Sequence, residues 1–247
     1  MFDSVVFWVA GPYVVTLAFI IGMVWRYRFD RYGWTSRSSQ IYESRLLRIA
    51  SPMFHLGILM ALAGHIAGLV IPASLTERVG ISEHLYHIAA VALGSVAGVL
   101  VLLGLIALIY RRRMNYRVFT VTTKMDKLMY VVLSSVVLLG TFNTLAIQLF
   151  NVGGFEGGYN YRETISVWFR SIAWFSPQPE LMIGVPITFQ LHIVMSMLLI
   201  ALIPVTRLVH IFSAPFGYFT RPYVVYRSRD AQQPRKPQRG WEPIQPR

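Results

Sequence analysis

Five long stretches of this chain contain no Asp, Glu, Lys or Arg: residues 4–25, 49–76, 84–110, 128–155 and 181–206. They run for 22, 28, 27, 28 and 26 residues. A helix needs about 20 apolar residues to cross the hydrocarbon core of a bilayer, and each stretch meets that length. The competing reading is five buried helices in a soluble protein. That reading fails on surface: only 14% of the 247 residues are charged, against about 25% in soluble domains. The expected fold is therefore an all-α membrane domain of five transmembrane helices, at about 4–25, 49–73, 84–110, 128–150 and 185–211. The first stretch follows Asp3 and is itself followed by its basic residues, which is the reverse of a cleaved leader, so a retained helix is expected.

The net charge of +12 acquires its meaning from its distribution. Twenty of the 23 Lys and Arg residues lie after the first, third and fifth stretches, and only Arg78, Arg162 and Arg170 lie in the other two connections. The positive-inside rule then places the N-terminus outside and the C-terminus in the cytoplasm of a multi-pass inner-membrane protein. The charge is a topology signal, and no nucleic-acid partner is needed to explain it. Residues 162–174 carry Trp168, Phe169 and Trp174, followed by Phe175, and suit a short interfacial helix outside. The membrane domain is expected to span 1–227. Residues 228–247, rich in Pro, Gln and Arg, suit a disordered cytoplasmic tail.

Cysteine is absent, which excludes disulfides, thiolate zinc, attached c-type haem and iron–sulfur clusters held by this chain alone. The chemistry that remains is histidine. His55 and His65 fall in the second stretch, His84 and His87 open the third, and His192 and His210 belong to the fifth helix if it continues past Arg207. Ionisable residues at membrane depth are rare and usually functional. The second and fifth helices run in opposite directions, so the heights match crosswise: His55 with His210, and His65 with His192. Eighteen residues make five whole turns and put His192 and His210 on one helix face. The rises disagree, about 15 Å for ten residues against about 27 Å for eighteen; tilt and a kink at Pro204 would absorb part of this.

Zinc requires ligands converging on one point, whereas these histidines lie at two depths. Two haems, each held by two axial imidazoles, fit two depths, and iron so ligated transfers electrons without binding gas. Gly57, Gly64, Gly68, Gly94 and Gly98 suit either room for a porphyrin or close helix packing. Arg207, Arg111 and Arg112 lie near the inner pair and suit either propionate contacts or the topology signal.

Several segments resemble the gamma subunit of respiratory nitrate reductase, a membrane cytochrome b: Trp25-Arg26-Tyr27, Arg37-Ser38-Ser39-Gln40, Phe54-His55-Leu56-Gly57-Ile58-Leu59, Gly64-His65, Arg207-Leu208-Val209-His210-Ile211 and Tyr218-Phe219-Thr220-Arg221. The resemblance implies five helices, two b-type haems with the crosswise pairing, and a quinol site (menaquinol or ubiquinol) on the outer side. It also implies an iron–sulfur beta subunit and a molybdenum alpha subunit on the cytoplasmic face, where nitrate becomes nitrite. Loop 25–48 and segment 212–227 are the expected dock. Some members carry a Glu-Val-Lys-type segment at the start of the third helix, where this chain has Glu83-His84-Leu85-Tyr86-His87. Gly64, His84, Tyr86 and His87 are the candidate quinol residues; a histidine there suits a proton acceptor, with an unperturbed pKa of about 6.5. The bland reading of His84 and His87 is interfacial anchoring. A related dihaem cytochrome b serving a heterodisulfide-reductase-like or sulfite-reductase-associated complex, and a proton-coupled transporter with histidine relays, are the alternatives.

Overall fold

The structure, a computed structural model, describes residues 5–155 and 157–213. The expected tail 228–247, and all but the first two residues of the expected docking segment 212–227, lie outside the described residues.

Among the described residues there are eight α-helices and no strand. They are α1 (Val5–Phe29), α2 (Leu47–His65), α3 (Ala73–Arg78), α4 (Glu83–Met114), α5 (Tyr116–Thr120), α6 (Lys124–Phe142), α7 (Ile165–Ala173) and α8 (Ile187–Leu202). Five helical segments are long and apolar enough to cross a membrane: α1, α2 with its π-turn to Val70, α4, α6 with its π-turn to Leu149, and α8 with its continuation to Val205. Two helices extend beyond their expected limits at basic ends: α1 runs on to Phe29 and α4 to Met114. Arg26 and Arg28 close α1, and Arg111, Arg112 and Arg113 close α4, where cations complement the negative end of the helix dipole. We call this the basic end of the bundle.

Glycine sets how closely the helices approach. A Cβ at residue 57 would lie 2.7 Å from the amide nitrogen of Val101, and one at residue 104 would lie 2.7 Å from that of Phe54. These crossed contacts make α2 and α4 antiparallel and nearly backbone-to-backbone, as small residues allow in membranes. Gly98 and Gly94 likewise admit Thr141 and Thr144 of the α6 segment. Val101 and Leu105 of α4 then pack with Leu133 and Val137 of α6 as one apolar core. α6 packs on α8, and α8 on α1. The bundle thus runs α2, α4, α6, α8, α1, and between α2 and α8 there is no comparable packing. Along that seam His55, Leu59, Leu62 and Ile66 of the α2 segment remain exposed, as does His65 beside them.

α7 forms as expected within 162–174. It lies over the end of the α2 segment, because that end has carbonyls without intrahelical partners. Ser166 Oγ donates to Gly68 O at 2.7 Å, Arg170 to Leu69 O at 3.0 Å, and Arg162 to Ile71 O at 3.3 Å. Trp168 buries against Trp8 of α1, and its indole nitrogen donates to Trp8 O at 3.1 Å.

One expectation is corrected. The fifth helix is not continuous over 185–211: the α-helix ends at Leu202, and Ile203–Val205 and Arg207–Ser213 are 3-10 turns separated by an extended Thr206. Pro204 has no N–H to continue the ladder. The Thr206 hydroxyl instead donates to Leu202 O at 2.8 Å, replacing the bond its amide would have made in an unbroken helix. The break is seated on α1. A Cβ at Gly22 would lie 2.7 Å from Cβ of Pro204, and the buried Arg26 donates to Pro204 O at 2.5 Å and to Gly33 O at 2.7 Å. His192 and His210 therefore do not share a face of one helix. The rise of about 27 Å that eighteen residues of continuous helix would give therefore does not apply between them.

Candidate functional site

Four histidines meet across the α2–α8 seam in two pairs. The ring centres of His55 and His210 are 6.3 Å apart, and those of His65 and His192 are 6.0 Å apart. The pairs lie ten residues apart on α2, about 15 Å along its axis, with the first pair toward the basic end.

Each ring is oriented by one main-chain carbonyl. Nδ1 of His55 lies 2.7 Å from Ser51 O, with the Ser51 hydroxyl at 3.3 Å. Nδ1 of His65 lies 2.7 Å from Ala61 O, that of His192 3.0 Å from Val136 O, and that of His210 2.6 Å from Arg207 O. A carbonyl only accepts, so in the neutral imidazole Nδ1 carries the proton and Nε2 carries the lone pair. All four side chains are thus held in the form that ligates a metal through Nε2, with the outer hydrogen bond that such ligands usually make. His192 reaches the α6 backbone only because residue 140 is glycine; a Cβ there would lie 2.8 Å from its Cε1.

The spacing can be tested against a bridging metal. Two imidazoles on opposite sides of one ion have ring centres about 6.3 Å apart, from about 2.0–2.1 Å per metal–nitrogen bond and about 1.1 Å from each nitrogen to its ring centre. Both pairs fit this value. Among the described residues no group of three or more His, Asp or Glu side chains comes together. Each site is a two-imidazole site between helices, and Gly64, with nothing within 4 Å of a Cβ built on it, borders open space beside His65. Gly57, Gly94 and Gly98 contact neighbouring helices instead.

The three arginines considered for propionates are engaged within the chain. Arg111 donates to Ser39 Oγ at 2.8 Å, to Ser39 O at 2.9 Å and to the Glu43 carboxylate, and so anchors the loop after α1. Arg112 donates to Thr122 at 2.9 Å and lies over the ring of Tyr130. Arg207 makes a bidentate pair with Asp126 at 2.8 and 2.7 Å.

At the opposite end, the candidate quinol residues separate. Tyr86 joins the π-turn that follows His65: its hydroxyl would lie 3.2 Å from a Cβ on Gly68, and is 3.5 Å from the Tyr161 hydroxyl. Arg162 stacks over the Tyr86 ring at 3.8 Å and pairs with Glu83 at 2.8 Å. Burial, reinforced by the Tyr86 hydroxyl, pushes the Tyr161 phenol above its usual pKa, so it remains protonated. His87 lies on the neighbouring face of α4, where its Cε1 would be 3.0 Å from a Cβ on Gly158. His84 is exposed.

Residues 4–229 match the family described as nitrate reductase gamma subunit. This chain belongs to that family. Among the relatives of this gamma-family chain, the nitrate reductase gamma chain of Bacillus subtilis is 40% identical over 224 residues, covering 91% of this chain and 98% of its own. The respiratory nitrate reductase 2 gamma chain of Escherichia coli is 34% identical over 227 residues, covering 92% and 97%. The nitrate reductase-like protein NarX of Mycobacterium tuberculosis is 51% identical over 236 residues, 95% of this chain, and this chain spans only 36% of its length. The family and the five spans make this a multi-pass membrane protein.

Four features of the site were not expected from sequence. Glu43 and Asp126 are acidic residues lying between charge-free stretches, Gly140 is one more small residue in an apolar run, and Asn143 sits inside a charge-free stretch. Asn143 is 4% exposed, and neither of its amide atoms has a hydrogen-bond partner among the described residues.

Proposed function

We propose that this chain is the quinol-oxidising, dihaem cytochrome b subunit of a respiratory nitrate reductase. The observation that carries the reading is the two opposed imidazole pairs, with all four Nδ1 atoms tied to carbonyls, in a chain of the gamma family. His65 and His192 hold the outer haem b, and His55 and His210 the inner one. When bound, the two haems supply one-electron transfer between the faces of the membrane. The protein would contribute rigid ligation: the four imidazoles that would hold the haems have their rotation fixed by main-chain carbonyls.

In this account the basic end faces the cytoplasm, as the positive-inside rule requires. There the exposed Trp25, Tyr27, Phe29, Tyr32 and Tyr42 stand among Arg28, Arg31, Arg45 and Arg48, a surface suited to the iron–sulfur beta subunit that passes electrons to the molybdenum alpha subunit. Quinol binds at the other end, beside Gly64, His65 and Tyr86, and its protons leave outside while electrons cross inward. The family match favours a nitrate reductase over a heterodisulfide-reductase-like or sulfite-reductase-associated complex. A histidine-relay transporter is disfavoured, because a relay imidazole must exchange protons at both nitrogens and Nδ1 here is committed to a carbonyl.

The test uses the complex assembled with its partner subunits. His65→Ala should abolish nitrate reduction driven by a quinol analogue and leave viologen-driven nitrate reduction intact. Retention of quinol-driven activity would contradict the proposal.

A further inference from the structure

Asp126 is 2% exposed in the first turn of α6. A buried carboxylate in a spanning helix is costly unless paired and marks a functional requirement by default. Its Oδ1 accepts from Nε of Arg207 at 2.8 Å, and its Oδ2 from Nη2 of Arg207 at 2.7 Å and from the Thr123 amide at 3.0 Å. Parallel bidentate bonds of this kind fix the guanidinium in direction as well as position. Nη1 of Arg207 donates to the carbonyls of Ser36 and Arg37, each at 3.3 Å. The main-chain carbonyl of Arg207 receives Nδ1–H of His210 at 2.6 Å. Helix α8 has already ended at Leu202, so the 3-10 turn carrying His210 is not held by a continuing helical ladder.

We infer that Asp126 is a positioning residue for His210. Through the Arg207 side chain it fixes the carbonyl that sets the tautomer and ring orientation of the inner axial ligand, and it balances the Arg207 charge beside that site. The inference rests on the dihaem reading above. Removing the carboxylate charge acts twice in the same direction. The unbalanced guanidinium favours the reduced state of the neighbouring centre, which carries one less positive charge. A loosened Nδ1–H bond makes the imidazole a weaker donor to iron, which also favours reduction.

The experiment is a redox titration of the two haems in the membrane complex, followed in the visible spectrum and by the low-spin electron paramagnetic resonance signals. The inner component is identified as the one lost in His55→Ala. In Asp126→Asn, the ratio of reduced to oxidised inner haem at a fixed ambient potential should rise about tenfold, which is 59 mV for a one-electron couple. The inner low-spin signal should broaden or shift, and the outer haem should be unchanged. Thr123→Ala removes the hydroxyl that caps α6 and leaves the pair with Arg207; it should keep both wild-type potentials, which separates this role from simple helix capping. Should Asp126→Asn fail to assemble, Arg207→Lys is read instead. It keeps the charge, loses the bidentate geometry, and should alter the inner signal alone. Two wild-type potentials in an assembled Asp126→Asn complex, or an unchanged inner low-spin signal in an assembled Arg207→Lys complex, would overturn the inference while leaving the dihaem reading intact. A wild-type complex with no b-type spectrum would instead remove the reading on which it rests.

Discussion

Gly140 and His192 are fitted to one another: a Cβ on residue 140 would lie 2.8 Å from Cε1 of the imidazole. The ring cannot step aside cheaply, because its Nδ1 is bonded to Val136 O on the same helix. Gly140→Val should therefore displace His192 and release the outer haem, lowering haem content from two per chain to one while the inner haem stays. Full haem content in this variant, with an unchanged spectrum, would contradict the seat described here.

The contact between α2 and α4 gives a second prediction with a different signature. At Gly104 the obstructing atoms are backbone, the amide nitrogen and Cα of Phe54 at 2.7 and 2.8 Å. Gly104→Val must separate the helices, at a cost of at least about 1–3 kcal/mol. Because α2 carries both His55 and His65, both haems should be perturbed together and the thermal midpoint should fall. Loss of one haem alone would argue against α2 moving as a unit.

Much of the architecture follows from sequence because membrane physics acts on runs of residues: charge-free length gives the spans, and the basic residues mark one end. The pairing of histidines follows from antiparallel helices and residue numbers. What did not follow depends on single atoms. Pro204 in the sequence suggests no more than a kink in a continuous fifth helix, whereas the break into 3-10 turns depends on the Thr206 hydroxyl bonding Leu202 O and on Gly22 and Arg26 receiving the corner. Arg111 and Arg207 carry the same charge signal as their exposed neighbours, and only the folded chain brings Glu43 and Asp126 to them. Gly57 and Gly64 look alike in sequence, but one meets a neighbouring backbone and the other meets open space.

Tyr86 and His87 are adjacent in sequence and occupy different faces of α4. Tyr86→Leu should slow quinol-driven haem reduction several-fold with both haems bound and viologen-driven nitrate reduction unaffected. His87→Leu, beside Gly158, should have the smaller effect. Stopped-flow reduction by a quinol analogue measures this; unchanged rates in both variants would place the quinol site elsewhere on that face.

Acid should open the loop after α1 before it unfolds the bundle. Burial acts to raise the pKa of Glu43, but hydrogen bonds from the Leu46 amide and from Arg111, with the charge of Arg111, outweigh it and hold the carboxyl below its usual range. A carboxyl lowered in the folded state contributes stability above its unfolded pKa, about 4.3, and loses it as pH falls through the lower folded value. Limited proteolysis of residues 34–46 should be slow and flat from about pH 5 to 8 and accelerate below about 4. In Glu43→Gln the loop should be more sensitive throughout, without the acid step. An acid step of the same size in that variant would assign the effect to another group.

The central claim is that these four histidines form two separate two-imidazole sites, paired crosswise. Haem content of double variants tests it most directly, since a pair that shares one haem cannot lose it twice. Two haems per wild-type chain are predicted. One should remain in His55→Ala/His210→Ala and one in His65→Ala/His192→Ala, whereas His55→Ala/His65→Ala should retain none. A single haem surviving in His55→Ala/His65→Ala, or none in His55→Ala/His210→Ala with the protein still folded in the membrane, would contradict the account.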